Sequence, residues 1–218
     1  MHDNPKNGDF RLRILLAGTG GQGVITAARL LSEYFVRKGD QVLSAQLHGM
    51  AQRGGAVQST VCVNSGISPA LPRGGADVVL GCEPVEAART LPYVSADTVV
   101  FINTAPIVPF VLSQNYVLES GSSEYPDLGM LEESLRAATS RVYPLDATKM
   151  AQEAGSLKTI NVVMLGCLFG AGVVPYPSQD FIDTIMVLAP PNLAETNTAA
   201  FRMGVEFAES LNVVEQAS

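Results

Sequence analysis

One histidine and one arginine, His48 and Arg53, stand close together in a run dense in glycine and amides, Ser44-Ala-Gln-Leu-His-Gly-Met-Ala-Gln-Arg-Gly-Gly55. An imidazole titrates near neutrality and serves as a general base or proton carrier. The planar fork of a guanidinium takes carboxylate or phosphate. Gly49, Met50, Gln52, Gly54 and Gly55 complete a segment suited to meeting something polar. The other histidine, His2, lies near the start of the chain, so neither a Ser-His-Asp nor a Cys-His arrangement can be argued. No constellation of metal ligands stands out. His48 is a candidate for catalysis, and a structural or interfacial role for His48 and Arg53 stays open beside it.

About one βαβ crossover upstream lies Gly18-Thr-Gly-Gly-Gln-Gly23. Gly18, Gly20 and Gly23 fit the spacing Gly-x-Gly-x-x-Gly, with Gly21 and Gln22 between them. Such glycines permit a tight turn and let phosphate approach amides at the positive end of a helix. A dinucleotide site also calls for an acidic residue near the end of the second strand, to hold ribose hydroxyls. Leu43-Ser-Ala-Gln46 carries none, so a turn serving only backbone geometry and packing weighs equally with a ligand site. A P-loop is excluded, because Gly-Lys-Ser/Thr does not follow.

The elements that must position these groups alternate between strand and helix patterns. Arg13-Ile-Leu-Leu-Ala17 reads as a buried strand ending at the glycine turn. Helical spacing follows over 24–38, with Gly39 as a left-handed cap. Strands are expected at 41–46, 56–63, 77–81, 98–103 and 141–146, and a short one at 116–118. Helices are expected from Glu83-Pro84 to about Tyr93, after a loop beginning at Ser122, at 147–154 behind Asp146, and at 157–169, 178–188 and 196–210. Gln46, Glu83 and Asn103 each fall near a strand end, placing them near one rim of the sheet, where open parallel sheets bind ligands. The fold class is α/β. It comprises a single Rossmann-like domain over 11–212, a mostly parallel sheet flanked by helices, and a helical C-terminal part. A disordered lead-in is expected at 1–10 and a tail at 213–218.

The chain's 218 residues suit one large domain, and 47% hydrophobic against 16% charged residues favours a subunit over a free-standing monomer. A formal charge of −7 with no basic stripe argues against nucleic acid. The polar start lacks the apolar centre of a signal peptide, which predicts a cytoplasmic protein. The longest apolar stretch, 160–174, is interrupted by Asn161 and falls short of the ~18–20 residues a membrane crossing requires. Cys62, Cys82 and Cys167 are widely spaced and read as buried small hydrophobes. They cannot supply the roughly four thiolates of an iron–sulfur cluster, so any such cluster must sit on another chain.

Two families share features with these residues. The glycine turn is similar to that of ubiquitin-activating-type adenylating enzymes, but their acidic ribose residue and zinc-binding cysteines are absent. A closer resemblance is carried by Gly-Thr-Gly-Gly-Gln-Gly at 18–23, Leu47-His-Gly-Met-Ala-Gln-Arg-Gly-Gly55, Ala76-Asp-Val-Val-Leu-Gly-Cys-Glu-Pro84, Val100-Phe-Ile-Asn-Thr104 and Asn161-Val-Val-Met-Leu-Gly166. Over most of 11–210 the chain resembles the beta subunits of indolepyruvate:ferredoxin oxidoreductases, the counterpart of the gamma domain of 2-oxoacid:ferredoxin oxidoreductases. The glycine turn is generic to that superfamily, whereas the His48-to-Gly55 run points to the indolepyruvate branch.

The resemblance implies oxidative decarboxylation of an aryl 2-oxoacid with coenzyme A, giving an aryl-acetyl-CoA, carbon dioxide and reduced ferredoxin. It assigns thiamine diphosphate and the iron–sulfur clusters to a large alpha subunit, and no cofactor to this chain alone. The small subunit then docks on that partner and shapes access for substrate or coenzyme A. The glycine turn and the His48-to-Gly55 loop face the partner or the active-site approach, and Arg53 is the anion contact. Two other readings remain: a stand-alone nucleotide-binding enzyme or sensor, and the equivalent subunit of another 2-oxoacid oxidoreductase.

Overall fold

A computed structural model describes residues 10–48, 55–106 and 125–213. The chain before Phe10, residues 49–54, the strand expected at 116–118 and residues 214–218 lie outside the described residues.

The described strands form one six-stranded sheet in the order β2-β3-β1-β4-β5-β6. They are β1 (Leu12–Thr19), β2 (Val42–His48), β3 (Ala56–Val63), β4 (Val78–Gly81), β5 (Val99–Asn103) and β6 (Val142–Leu145). β1, β4, β5 and β6 pair in parallel. β3 runs antiparallel to both β1 and β2, so one reversed strand lies within an otherwise parallel sheet. The seven residues between His48 and Ala56 explain this, because a parallel crossover needs a dozen or more.

Seven helices are described: α1 (Val24–Arg37), α2 (Pro84–Ala88), α3 (Leu128–Arg136), α4 (Ala147–Glu153), α5 (Ile160–Gly170), α6 (Ser178–Leu188) and α7 (Pro191–Ser210). One sheet face packs against α1, α4, α5, α6 and α7 through Leu12, Ile14, Leu16, Val61 and Phe101. The other packs α2 and α3 against Leu15, Val79, Val100 and Ile102. None of the described helices is long and apolar enough to cross a membrane.

Four boundaries differ from expectation. The helix expected up to Tyr93 stops as an α-helix at Ala88, and Leu91–Tyr93 forms a separate 3₁₀ turn in which Pro92 cannot continue the α hydrogen-bond ladder. Leu157–Thr159 is likewise a 3₁₀ turn, so α5 starts at Ile160. α7 begins at Pro191, five residues before the position expected, with proline in its first turn. His48 belongs to β2 and pairs with Val57, so it is the strand's last residue and not part of the loop. Gly39 does adopt the left-handed conformation expected of it, with φ 86°.

α5 is the most deeply buried helix: Ile160 through Phe169 are all buried. Its contact with α7 needs glycine. A Cβ on Gly166 would lie 2.1 Å from the Phe201 carbonyl oxygen, and one on Gly204 would lie 2.0 Å from the Val163 carbonyl oxygen.

Candidate functional site

The glycine turn connects β1 to α1, and the chain closes it with its own side chain. Gln22 is buried, and its Oε1 accepts from the Thr19 amide at 2.7 Å and the Thr19 hydroxyl at 3.2 Å. A Cβ on Gly18 would sit 2.6 Å from that oxygen, so glycine at 18 is what admits the Gln22 carboxamide. At its other end, Gln22 Nε2 donates to the Cys82 carbonyl at 2.9 Å.

That carbonyl, just beyond β4, receives a second carboxamide. Asn103, at the end of β5 and fully buried, donates from Nδ2 to Cys82 O at 2.9 Å and to the Thr148 hydroxyl in α4 at 3.0 Å. A third carboxamide holds the far end of the turn. Asn161, near the start of α5, donates from Nδ2 to the Gly23 carbonyl at 2.9 Å. Gly23, with φ 74°, is the N-cap of α1 and supplies no side-chain cap, and α5 lacks one too. Two helix N-termini therefore meet at Gly23, and their partial positive charges favour an anion.

The two sequence motifs are joined directly. The Gly20 amide donates to the Gly55 carbonyl at 2.9 Å, fastening the last residue of the His48-to-Gly55 run to the glycine turn. His48 pairs with Val57, which pairs on its other side with Gly18. Gly49, Met50, Gln52, Arg53 and Gly54 lie outside the described residues.

The three rim residues do not form one group. Asn103 belongs to the carboxamide network. Glu83 is buried and caps α2, accepting from the Glu86 amide at 3.0 Å and from the Tyr125 hydroxyl. Gln46 pairs with Ser59 on the edge strand and is exposed, separated from β4 by β3 and β1. Burial pushes the Glu86 carboxyl up, Arg89 opposes the shift, and Glu83 adds to it. Burial also raises Tyr125, as does its bond to Glu83. Thr148 and Tyr125 carry no sequence signal that marks them as site residues. For Asn161 the signal is a lone carboxamide inside the apolar run 160–174, since a buried amide demands partners.

The reversed strand bears on dinucleotide binding. In a dinucleotide fold the second strand lies beside the first, and its end carries the ribose carboxylate. Here β3 intervenes, moving the end of β2 to roughly 10 Å from β1, two inter-strand spacings away. β2 has no carboxylate along its length.

The cysteines do not fit a metal cluster. Cys62, Cys82 and Cys167 are free and buried in β3, after β4 and in α5. Burial pushes the Cys82 thiol up to about 12 and raises the other two, which opposes the thiolate a cluster needs. Among the described residues no three His, Cys, Asp or Glu side chains gather to hold a metal.

A family model for pyruvate ferredoxin/flavodoxin oxidoreductase matches residues 13–207. The chain is 36% identical over 195 residues to indolepyruvate oxidoreductase subunit IorB of Archaeoglobus fulgidus, covering 89% of this chain and 94% of that one. It is 35% identical to the protein of the same name in Thermococcus kodakarensis, covering 91% and 96%. The crystal structure of a keto/oxoacid ferredoxin oxidoreductase gamma subunit from Geobacter sulfurreducens shares the fold, with a TM-score of 0.64 and 21% identity, over 91% of this chain and 99% of that one.

Proposed function

The chain belongs to the pyruvate ferredoxin/flavodoxin oxidoreductase family, and from that premise we propose that it is the small subunit of an indolepyruvate:ferredoxin oxidoreductase. The observation that carries the reading is the likeness to subunits named for indolepyruvate oxidoreductase over nearly the whole of both chains. In the proposed reaction an aryl 2-oxoacid and coenzyme A yield aryl-acetyl-CoA and carbon dioxide, and the two electrons released pass to ferredoxin. Thiamine diphosphate and iron–sulfur clusters, bound on a large partner subunit, supply the electron sink and the electron path.

This chain's own part is docking and access. The Gly20-to-Gly55 hydrogen bond supports it, because it fastens Gly55, the residue that ends this run, to the turn where two helix N-termini meet. Arg53 takes an anion there: the substrate carboxylate, a coenzyme A phosphate or an acidic residue of the large subunit. His48, at the foot of the loop, is a proton carrier or a docking contact.

The test is to purify the chain with the partner it binds in its own cell and measure thiamine diphosphate, iron and sulfide. Coenzyme A-dependent oxidation of indolepyruvate, pyruvate and 2-oxoglutarate is then compared. Indolepyruvate is expected to be preferred. A partner without those cofactors would overturn the reading, and preference for another oxoacid would reassign the subunit within the family. Arg53→Ala should weaken assembly or raise KM for coenzyme A or oxoacid, and unchanged values for all three would remove Arg53 from the site. A normal turnover rate in His48→Asn would remove proton transfer from His48.

A further inference from the structure

We propose that the chain pairs with a second copy of itself through the edge of β2 that no other described strand covers, joining the two sheets antiparallel about a twofold axis at Ala45. Edge strands in monomers are ordinarily guarded by charge, proline or bulges, since their open amides and carbonyls accept another strand. β6, at the opposite edge, is four residues long and contains Pro144. β2 reads Val-Leu-Ser-Ala-Gln-Leu-His over seven residues, with no Lys, Arg, Asp, Glu or Pro. Among the described residues a chain of net charge −7 thus presents a neutral strand at this edge of the sheet, where two copies meet without like charges in line.

The pairing follows from the bonds β2 already makes. The Asn64 amide donates to the Gln41 carbonyl at 2.8 Å, so the odd-numbered residues along β2 turn their backbone groups towards β3. Val42, Ser44, Gln46 and His48 therefore turn theirs outwards. A twofold at Ala45 brings Val42 opposite His48 and Ser44 opposite Gln46 of the second copy as hydrogen-bonded pairs, about eight bonds in all. Leu43 then faces Leu47 of the second copy, and Ala45 faces Ala45.

Both faces of the joined sheet match. Leu43, Ala45 and Leu47 share the face of Thr60 and Cys62, opposite to that of Val61 and Val63, against which α1 packs. Leu47 is 61% exposed. In the pair these three residues form a continuous apolar ribbon on one face, with Ser44 beside Gln46 on the other. This is the register in which all seven residues of β2 find partners. At ~3.4 Å per residue the contact is about 24 Å long and one strand deep, less than the ~800 Å² per partner of a standard interface. A contact of this size belongs with weak, reversible interfaces.

The test uses the full-length chain with Ala45→Cys. Ala45 and its counterpart form a non-hydrogen-bonded pair with Cα atoms ~4.5 Å apart, within disulfide range. The native thiols are buried. Mild oxidation should yield a covalent dimer, whereas Leu43→Cys alone, which faces leucine, should not. Ser44→Pro removes an outward amide without taking a bond from β3 and should abolish the cross-link while the far-UV spectrum is kept. Sedimentation of the unmodified chain should show monomer–dimer exchange, weakened at least tenfold by Ser44→Lys. A chain that is strictly monomeric at roughly 1 mM, the weak end of specific association, or folded Ala45→Cys that stays unlinked, would overturn the proposal. A cross-link only to a cysteine of the large partner would overturn it in favour of strand addition by that partner.

Discussion

Gln22 uses both ends of its carboxamide within the chain, bridging the Thr19 amide and the Cys82 carbonyl. Gln22→Ala would leave the Thr19 amide without this acceptor, while the Cys82 carbonyl keeps Asn103 as a donor, and unfolding in urea should show a loss of about 1–3 kcal/mol for the one stranded group. Asn161→Ala removes the tie to Gly23 O, and its expected signature follows from the proposed docking role. In the assembled enzyme KM for coenzyme A should rise a few-fold to tenfold with kcat unchanged, matching the ~0.5–1.5 kcal/mol of one hydrogen bond. Glu86 contributes a pH dependence. Its folded pKa is raised above the ordinary 4.5, so the folded chain holds this proton more tightly than the unfolded one. The contribution is fully present below pH 4.5 and lost as pH rises through the raised value. Glu86→Gln should therefore gain stability at pH 7 and none at pH 4, read from denaturant midpoints at each pH. Of these residues, the glycines and Asn103 were legible as strand-end features. The partnerships of Gln22 and Asn161 were not, because they join positions 60 and 138 residues apart.

Helix contacts sort the glycines by what they permit. At Gly166 a methyl group would strike the backbone carbonyl of Phe201, which cannot turn aside as a side-chain end can. Gly166→Ala should lower Tm by at least 4–8 °C, from ~2 kcal/mol or more of overpacking at 2–4 °C per kcal/mol for a domain of this size. Gly21→Ala is the contrast: its φ of 103° strains any side chain, yet no atom lies within 4 Å, so only the backbone cost of ~1–2 kcal/mol is expected. In sequence Gly166 is only a glycine within an apolar run, and nothing there identifies α7 as the partner it admits. Strands were legible from apolar runs, and the antiparallel hairpin was implicit in the short link after His48. Strand order was not legible, since it depends on which edge of β1 each later strand finds.

At the scale of the molecule, an apolar-rich chain with an unguarded sheet edge suits an assembly. Unfolding of the chain alone should move to higher temperature as its concentration rises, because association through β2 stabilises only the folded form. A midpoint independent of concentration over two decades would count against association. The fold class and family were open to reading because the glycine turn and the His48-to-Gly55 run lie in short contiguous stretches. The joining of those motifs through Gly20 and Gly55 required the hairpin to be seen in three dimensions. The crossing of α5 with α7 has a further bearing on biosynthesis. β1 to β6 and α5 leave the ribosome before the helix that covers α5, some 40 residues behind it. At ~5–20 residues per second this leaves α5 uncovered for about 2–8 s, longer than hydrophobic collapse takes. During that interval the nascent chain presents its most apolar helix, the natural target for a holding chaperone.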